Sequence, residues 1–157
     1  MIVVERMSIA HVEAVHAIEL ESFSIAWSKQ SFVQELTKNK LAFYFVAKDV
    51  DGKTDKVVGY AGLWHVVTEG HVTNVAVAPA CRGKGIGSML VERILAFAVE
   101  KDMIGVTLEV RVGNKAALSL YKRHGFLSAG IRKNYYTDTG EDAIVMWRYL
   151  KDFDYLV

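Results

Sequence analysis

CRGKGIGSML, residues 81–90, sets Gly83, Gly85 and Gly87 at alternate positions and then runs into an apolar stretch. Glycine inside a helical turn costs about 0.5–1 kcal/mol relative to alanine, so the spacing calls for an offsetting gain. A ligand lying close to the backbone supplies one; a tight strand-to-helix turn without a ligand explains the same letters. A Walker loop requires GxxxxGK[ST], but Lys84 precedes the last glycines and no GKS or GKT occurs. A dinucleotide fingerprint counted from Gly83 needs its third glycine where Ser88 stands. What remains is a pyrophosphate cradle, in which successive backbone N–H groups converge and a helix N-terminus adds partial positive charge. Arg82 and Lys84 favour an anion there, with Ile86 and Ser88 in the same turn. Side chains at Gly85 and Gly87 are expected to block its close approach.

Upstream of the turn, HVTNVAVAP (71–79) reads as a strand that stops at Pro79. Downstream, Ile86, Met89, Leu90, Ile94, Phe97 and Ala98 share one helical face. GVTLEVRV (105–112) alternates, with Val106, Leu108 and Val110 on one side and Thr107, Glu109 and Arg111 on the other. Asn114 caps a helix that Gly125 ends. FLSAGIRKNYY (126–136) and DAIVMWRYL (142–150) close the chain as strands around Asp138-Thr139-Gly140. On the N-terminal side, IVVERM (2–7) is a strand. A Ser8-capped helix runs from about Ile9 to Glu21 on Ile9, Val12, Val15 and Ile18. A Ser28-capped helix buries Phe32, Val33 and Leu36. Two strands, 41–49 and 56–67, flank a polar loop with Asp51-Gly52 as its turn. The order β-α-α-β-β-β-α-β-α-β-β predicts an α/β fold, a mixed sheet with helices on its faces.

The chain of 157 residues suits one domain, 1–157, with 52% hydrophobic and 24% charged residues. A net charge of +1 gives no field that points to nucleic acid or an anionic membrane. No apolar stretch is long enough to span a bilayer, and MIVVERMSIA lacks the pattern of a signal peptide. A single cysteine, Cys81, fits a reducing cytoplasm. No His/Cys spacing supports a metal site.

VAVAPACRGKGIGSMLVERILAFA (75–98) resembles the acyl-CoA motif of the GNAT N-acetyltransferases: a strand, R-x-x-G-x-G, then a helix. Arg82, Gly85 and Gly87 occupy the motif's named positions. LEVRVGNKAALSLYKRHGF (108–126) resembles the second signature, in which an asparagine starts a helix and a tyrosine precedes a GF turn. WSKQSF, LEVR, RKNYY and EDAIVM narrow the resemblance to the bacterial ribosomal-protein-alanine N-acetyltransferases. Ala26 departs from the proline often found before the Trp-Ser pair. The resemblance implies the GNAT fold, with a mostly antiparallel central sheet, and acetyl-CoA as donor without a metal. It implies as acceptor the N-terminal alanine of small-subunit ribosomal protein eighteen. A lysine, a polyamine or another small amine is the alternative acceptor. A CoA-binding sensor without catalysis is the alternative class.

Acetyl transfer to an amine needs the amine neutral, and a free α-amine has a pKa of about 7.7–8.0. By resemblance Glu109 is the base and Tyr121 the acid that protonates the leaving thiolate. On composition alone Glu109 also reads as a solvated strand carboxylate or a partner for Arg111, and Tyr121 as a core aromatic. Val75, Ala76 and Val77 would offer main-chain groups to the pantetheine arm and an oxyanion donor. The resemblance assigns Arg82, Gly83, Lys84, Gly85, Ile86, Gly87, Ser88 and Asn114 to the cofactor. It assigns Trp27, Asn134, Tyr135 and Tyr136 to the peptide.

Overall fold

The structure is a computed structural model that describes residues 1–151. The strands are β1 (Ile2–Arg6), β2 (Ala42–Asp49), β3 (Lys56–Val66), β4 (Glu69–Val77), β5 (Gly105–Arg111), β6 (Leu127–Arg132) and β7 (Ala143–Tyr149). The helices are α1 (Val12–Ser22), α2 (Lys29–Thr37), α3 (Ile86–Glu100) and α4 (Lys115–Arg123). Among the described residues this is the expected element order, in one seven-stranded sheet ordered β1-β2-β3-β4-β5-β7-β6. Every neighbouring pair is antiparallel except β4 and β5.

Strand alternation buries both faces. On β2, Phe45 and Ala47 point to the α3 side, while Tyr44 and Val46 point to the α1–α2 side. Helix α3 places Ile86, Leu90, Val91, Ile94 and Phe97 in the first layer. Helices α1 and α2 place Val12, Val15, Ile18 and Phe32 in the second. Each such side chain contributes about 1.5–3 kcal/mol when fully buried. Ser28 caps α2 by accepting the Ser31 N–H at 3.1 Å, and Asn114 caps α4 by accepting the Ala117 N–H at 3.1 Å. Gly125 takes φ +84° just past α4, the conformation its place required.

Three local expectations need correction. The first helix does not start at Ile9. Ile9–His11 form a 3-10 turn, which turns Ile9 outward to 50% exposure, and α1 begins at Val12. Thr107 is not on an open polar face; it is buried, and its hydroxyl donates to the Met146 carbonyl at 2.9 Å. The strand expected to reach Tyr136 ends at Arg132, because Asn134 adopts a left-handed φ of +53° that no strand accommodates.

The feature that positions the site is a parting of β4 from β5. Their parallel pairing covers only Glu69–His71 against Gly105–Thr107. Just beyond, β4 bulges: Gly62 pairs with Asn74 and Leu63 with Val72, so Thr73 is the extra residue. A bulge bends its strand and sharpens the local twist. It fits because residue 62 is glycine: a Cβ there would stand 2.2 Å from Tyr44 Cε1 and 2.4 Å from Thr73 Oγ1. From Val72 to Val77, β4 therefore runs away from β5, unpaired with it.

Candidate active site

Two cavities open along the parted strands. One, of about 540 Å³, lies over the end of β4 and the turn into α3, lined by Val75, Ala76, Val77 and Gly83 among others. The other, of about 720 Å³, lies between Val72–Val75 and Leu108–Arg111. They share Ser22, Phe23, Val75, Asn114, Ala117 and Tyr121, so they meet at the centre of the sheet.

In the first cavity the glycines set the course of the turn. Gly83 and Gly85 hold φ +78° and +81°, and a Cβ on either would meet nothing within 4 Å. Both positive φ values favour glycine whatever the space around them, and at Gly85 that space opens to the cavity. Gly87 is the close approach: its Cβ would come within 3.3 Å of Leu120 Cδ2 and 4.0 Å of Val77 Cγ2. The first helical bond of α3 runs from the Met89 N–H to the Gly85 carbonyl at 3.1 Å. The N–H groups of Ile86, Gly87 and Ser88 thus precede the ladder at the positive end of the helix. Arg82 lines the cavity, and its Nε donates to the Val77 carbonyl at 3.1 Å, tying the turn to β4. Ser88 Oγ lies 3.1 Å from His124 Nε2. Lys84 is not among the lining residues. Cys81, a free thiol, lines this cavity too.

The second cavity is lined by α1, the segment after it, β5 and the turn between β6 and β7. Glu109 lines it with 27% side-chain exposure. Its carboxylate lies 3.4 Å from Arg132 Nε, not on Arg111. Arg111 instead reaches Asp138 at 2.8 Å and Glu141 at 3.4 Å, with its guanidinium 4.0 Å from the Tyr136 ring centre. The Arg111 bond, and then the Ser24 hydroxyl, hold the Asp138 carboxyl down at about 2. Ser24–Asp138 therefore joins the segment after α1 to the β6–β7 turn across the cleft. Burial pushes the Tyr136 phenol up to about 12. Tyr135 lines the same wall. Asn134 does not; its N–H donates to Asp142 Oδ1 at 2.9 Å and shapes the turn. Trp27 lines the entrance, its ring centre 5.4 Å from that of Phe32.

Tyr121 lies at the junction. Only 8% exposed, it packs on Phe126 at 5.6 Å, and burial pushes its phenol well above the ordinary value. The two cavities thus run from a glycine turn at the start of α3, along the edge of β4 that β5 leaves, past the buried Tyr121 phenol to the Glu109 carboxylate.

The sequence profile of the acetyltransferase (GNAT) family matches residues 12–126. The chain belongs to that family. It is 42% identical, over 92% of its length and 93% of the relative's, to a Bacillus subtilis (strain 168) protein named, provisionally, a ribosomal protein bS18-alanine N-acetyltransferase. It is 33% identical, over 85% of its length and 87% of the relative's, to the Escherichia coli (strain K12) ribosomal protein bS18-alanine N-acetyltransferase. The crystal structure of the Escherichia coli ribosomal-protein-S18-alanine N-acetyltransferase superposes with a TM-score of 0.85 at 28% identity, covering 97% of this chain and 96% of that one. The fold expected of a GNAT acetyltransferase is therefore the fold observed.

Several residues of this GNAT site escaped the sequence reading: Glu19, Ser22 and Phe23 from the end of α1, and Arg111, Asp138 and Glu141 from the opposite wall. Glu19 alone left a signal, a carboxylate one residue after Ile18 on the apolar stripe of α1. Among the described residues, no group of three or more His, Cys, Asp or Glu side chains is placed to hold a metal, and no helix is long and apolar enough to cross a membrane.

Proposed function

We propose that this protein moves the acetyl group of acetyl-CoA onto the α-amine of the N-terminal alanine of ribosomal protein bS18, as one domain over residues 1–157 in the cytoplasm. What carries the reading is the 42% identity to a relative of that name over nearly the whole chain. The cleft supports it, because its two arms converge on Tyr121.

The donor arm fits the cofactor. Gly83 and Gly85 free the turn to aim main-chain N–H groups at an anion, and α3 adds its dipole. The edge of Val75–Val77 that β5 leaves offers strand hydrogen bonds to an amide-bearing arm, beside the Val77 carbonyl that Arg82 already holds, and one of its N–H groups suits an oxyanion. Asn114 lines both cavities while it caps α4. Bound there, acetyl-CoA supplies an activated acyl group as a thioester.

The acceptor arm suits an extended N-terminus. Trp27, Tyr135 and Tyr136 wall a narrow entry whose sides are joined by Ser24 and Asp138. Glu109 takes the proton of the incoming ammonium, directly or through water, which frees the lone pair for attack. Tyr121, kept neutral by burial, gives its proton to the departing sulfur. An alanine offers little to read, so selection comes from pocket size and from the residues that follow it.

The test is an acetylation assay with acetyl-CoA and a peptide bearing the bS18 N-terminus, beside the same peptide with its amine blocked. Acetate on the free α-amine and none on the blocked peptide is the expected result. Acetate only on lysine or a polyamine rejects the acceptor. Tight acetyl-CoA binding with no transfer to any amine rejects the enzyme.

A further inference from the structure

Glu19 is 2% exposed, yet it is a carboxylate on the apolar face of α1. Burying such a group is costly unless hydrogen bonds satisfy it. Here three donors do. Oε2 accepts the Trp27 backbone N–H at 2.9 Å. Oε1 accepts the Tyr60 hydroxyl and Asn74 Nδ2, the latter at 3.3 Å.

Those donors come from three different elements. Trp27 belongs to the irregular segment that walls the acceptor entry. Asn74 follows the bulge on β4 and precedes Val75, where the donor arm begins. Tyr60 sits on β3, paired with Ala76. One carboxylate therefore spans the acceptor wall and the cofactor strand. Ser22, one turn further along α1, lines both cavities, and its buried hydroxyl has no partner among the described residues. The last turn of α1 thus faces the chamber where the two substrates meet.

We propose that Glu19 is a positioning residue that holds the Trp27 segment in register with β4, so that an acceptor amine seated against that segment is aligned with the acyl group. This rests on the acetyltransferase reading above. β4 stays fixed by its pairing with β3, so loosening the link displaces the acceptor wall and leaves the donor arm in place. A carboxylate is required because only it accepts on both oxygens. A glutamine accepts on one side and donates on the other, so a donor would face either the Trp27 N–H or the Asn74 amide.

The test is Glu19→Gln, measured with any amine the wild type acetylates. Loss of one hydrogen bond to a charged group predicts about a ten- to hundredfold fall in acceptor kcat/KM, carried by KM, with the acetyl-CoA Kd within about twofold. Amide exchange at Trp27 should accelerate. Adding Asn74→Asp moves the carboxylate to the other end of the bond. In the double variant the new amide group on α1 donates to the new carboxylate on β4, and its carbonyl oxygen accepts from the Trp27 N–H. Acceptor KM should then return to within a fewfold of wild type. Unchanged acceptor kcat/KM in Glu19→Gln overturns the inference. So does a loss shared equally between acceptor KM and acetyl-CoA Kd and not restored by Asn74→Asp. If Glu19→Gln does not fold, exchange in the wild type decides. A Trp27 amide as protected as those of α1 supports the link, and one exchanging as fast as an open loop overturns it. That readout needs no turnover, so it stands apart from a failure to find any acceptor.

Discussion

Substituting Gly85 and Gly87 separately divides the stability of the cradle from its function, because the two glycines are needed for different reasons. Gly85 sits at φ +81° with open space around its missing side chain. Gly85→Ala therefore costs backbone strain alone, about 1–2 kcal/mol for an L-residue held left-handed. Gly87 has an ordinary φ inside α3, where alanine is favoured by up to about 1 kcal/mol. Its new methyl would enter the gap between Leu120 Cδ2, at 3.3 Å, and Val77 Cγ2, at 4.0 Å, and both residues line the cavity. The nearest atom is the end of a flexible side chain, so the fold tolerates the methyl. A ligand pressed against the same N–H groups does not. Overfilling a close-packed site costs about 1–3 kcal/mol, or about five- to 150-fold in Kd. Thermal unfolding of the free proteins and calorimetric titration with acetyl-CoA read the two terms. The expected pattern is a less stable Gly85→Ala and a Gly87→Ala at least as stable as wild type that binds acetyl-CoA more weakly. A Gly87→Ala protein with wild-type affinity refutes the cradle, since it leaves the packing against Leu120 as the whole reason for glycine at 87.

Tyr121→Phe keeps the packing on Phe126, so the melting temperature should stay within about two degrees, while kcat falls by about 10²- to 10⁴-fold; wild-type kcat in the variant removes the acid assignment. Burial raises the Tyr121 phenol, so wild-type kcat should show no alkaline loss from this group up to the ordinary tyrosine range near pH 10. Glu109→Gln should lower kcat/KM at neutral pH by about 10²- to 10⁴-fold, and full turnover in that variant removes the base. Asp138 is held at about 2 against an ordinary 3.8, so its contribution to stability is complete above pH 4 and is lost as pH falls through about 2. Thermal unfolding of wild type and Asp138→Asn should therefore differ above pH 4 and converge near pH 2; curves that run parallel to pH 2 show that the Ser24–Asp138–Arg111 bridge carries no stability.

Local grammar made most of the elements legible. Ser28 and Asn114 announce their helices because their side chains cap them. The stripe on α3 announces a buried helix because the pattern follows 3.6 residues per turn. What stayed hidden is what depends on residues far apart in sequence. The parting of β4 from β5 needs the Thr73 bulge, which needs Gly62, which must clear the Tyr44 ring. None of these letters points to the others. Thr107 reads as part of the polar face that holds Glu109 and Arg111, yet it is buried where β5 is still paired with β4. Arg132 and Asp138 become the partners of Glu109 and Arg111 only through the antiparallel return of β6 and β7.

The two arms of the cleft are built by different means, and this has a consequence for substrate use. The donor arm is backbone: a strand edge, a glycine turn and a helix terminus, each fixed by sheet pairing or by α3 packed in the core. The acceptor arm is side chains holding irregular segments: Glu19 on Trp27, Ser24 on Asp138, and Arg111 against Tyr136. Side-chain bonds can be changed one at a time, whereas a strand edge cannot. Substitutions on the acceptor wall should therefore shift which amines are accepted while acetyl-CoA affinity stays constant. Substitutions in the glycine turn should instead weaken use of every amine alike. An acceptor-wall variant that loses acetyl-CoA affinity in proportion to acceptor turnover would mean that the arms are one mechanical unit, and that the parted strands do not insulate them.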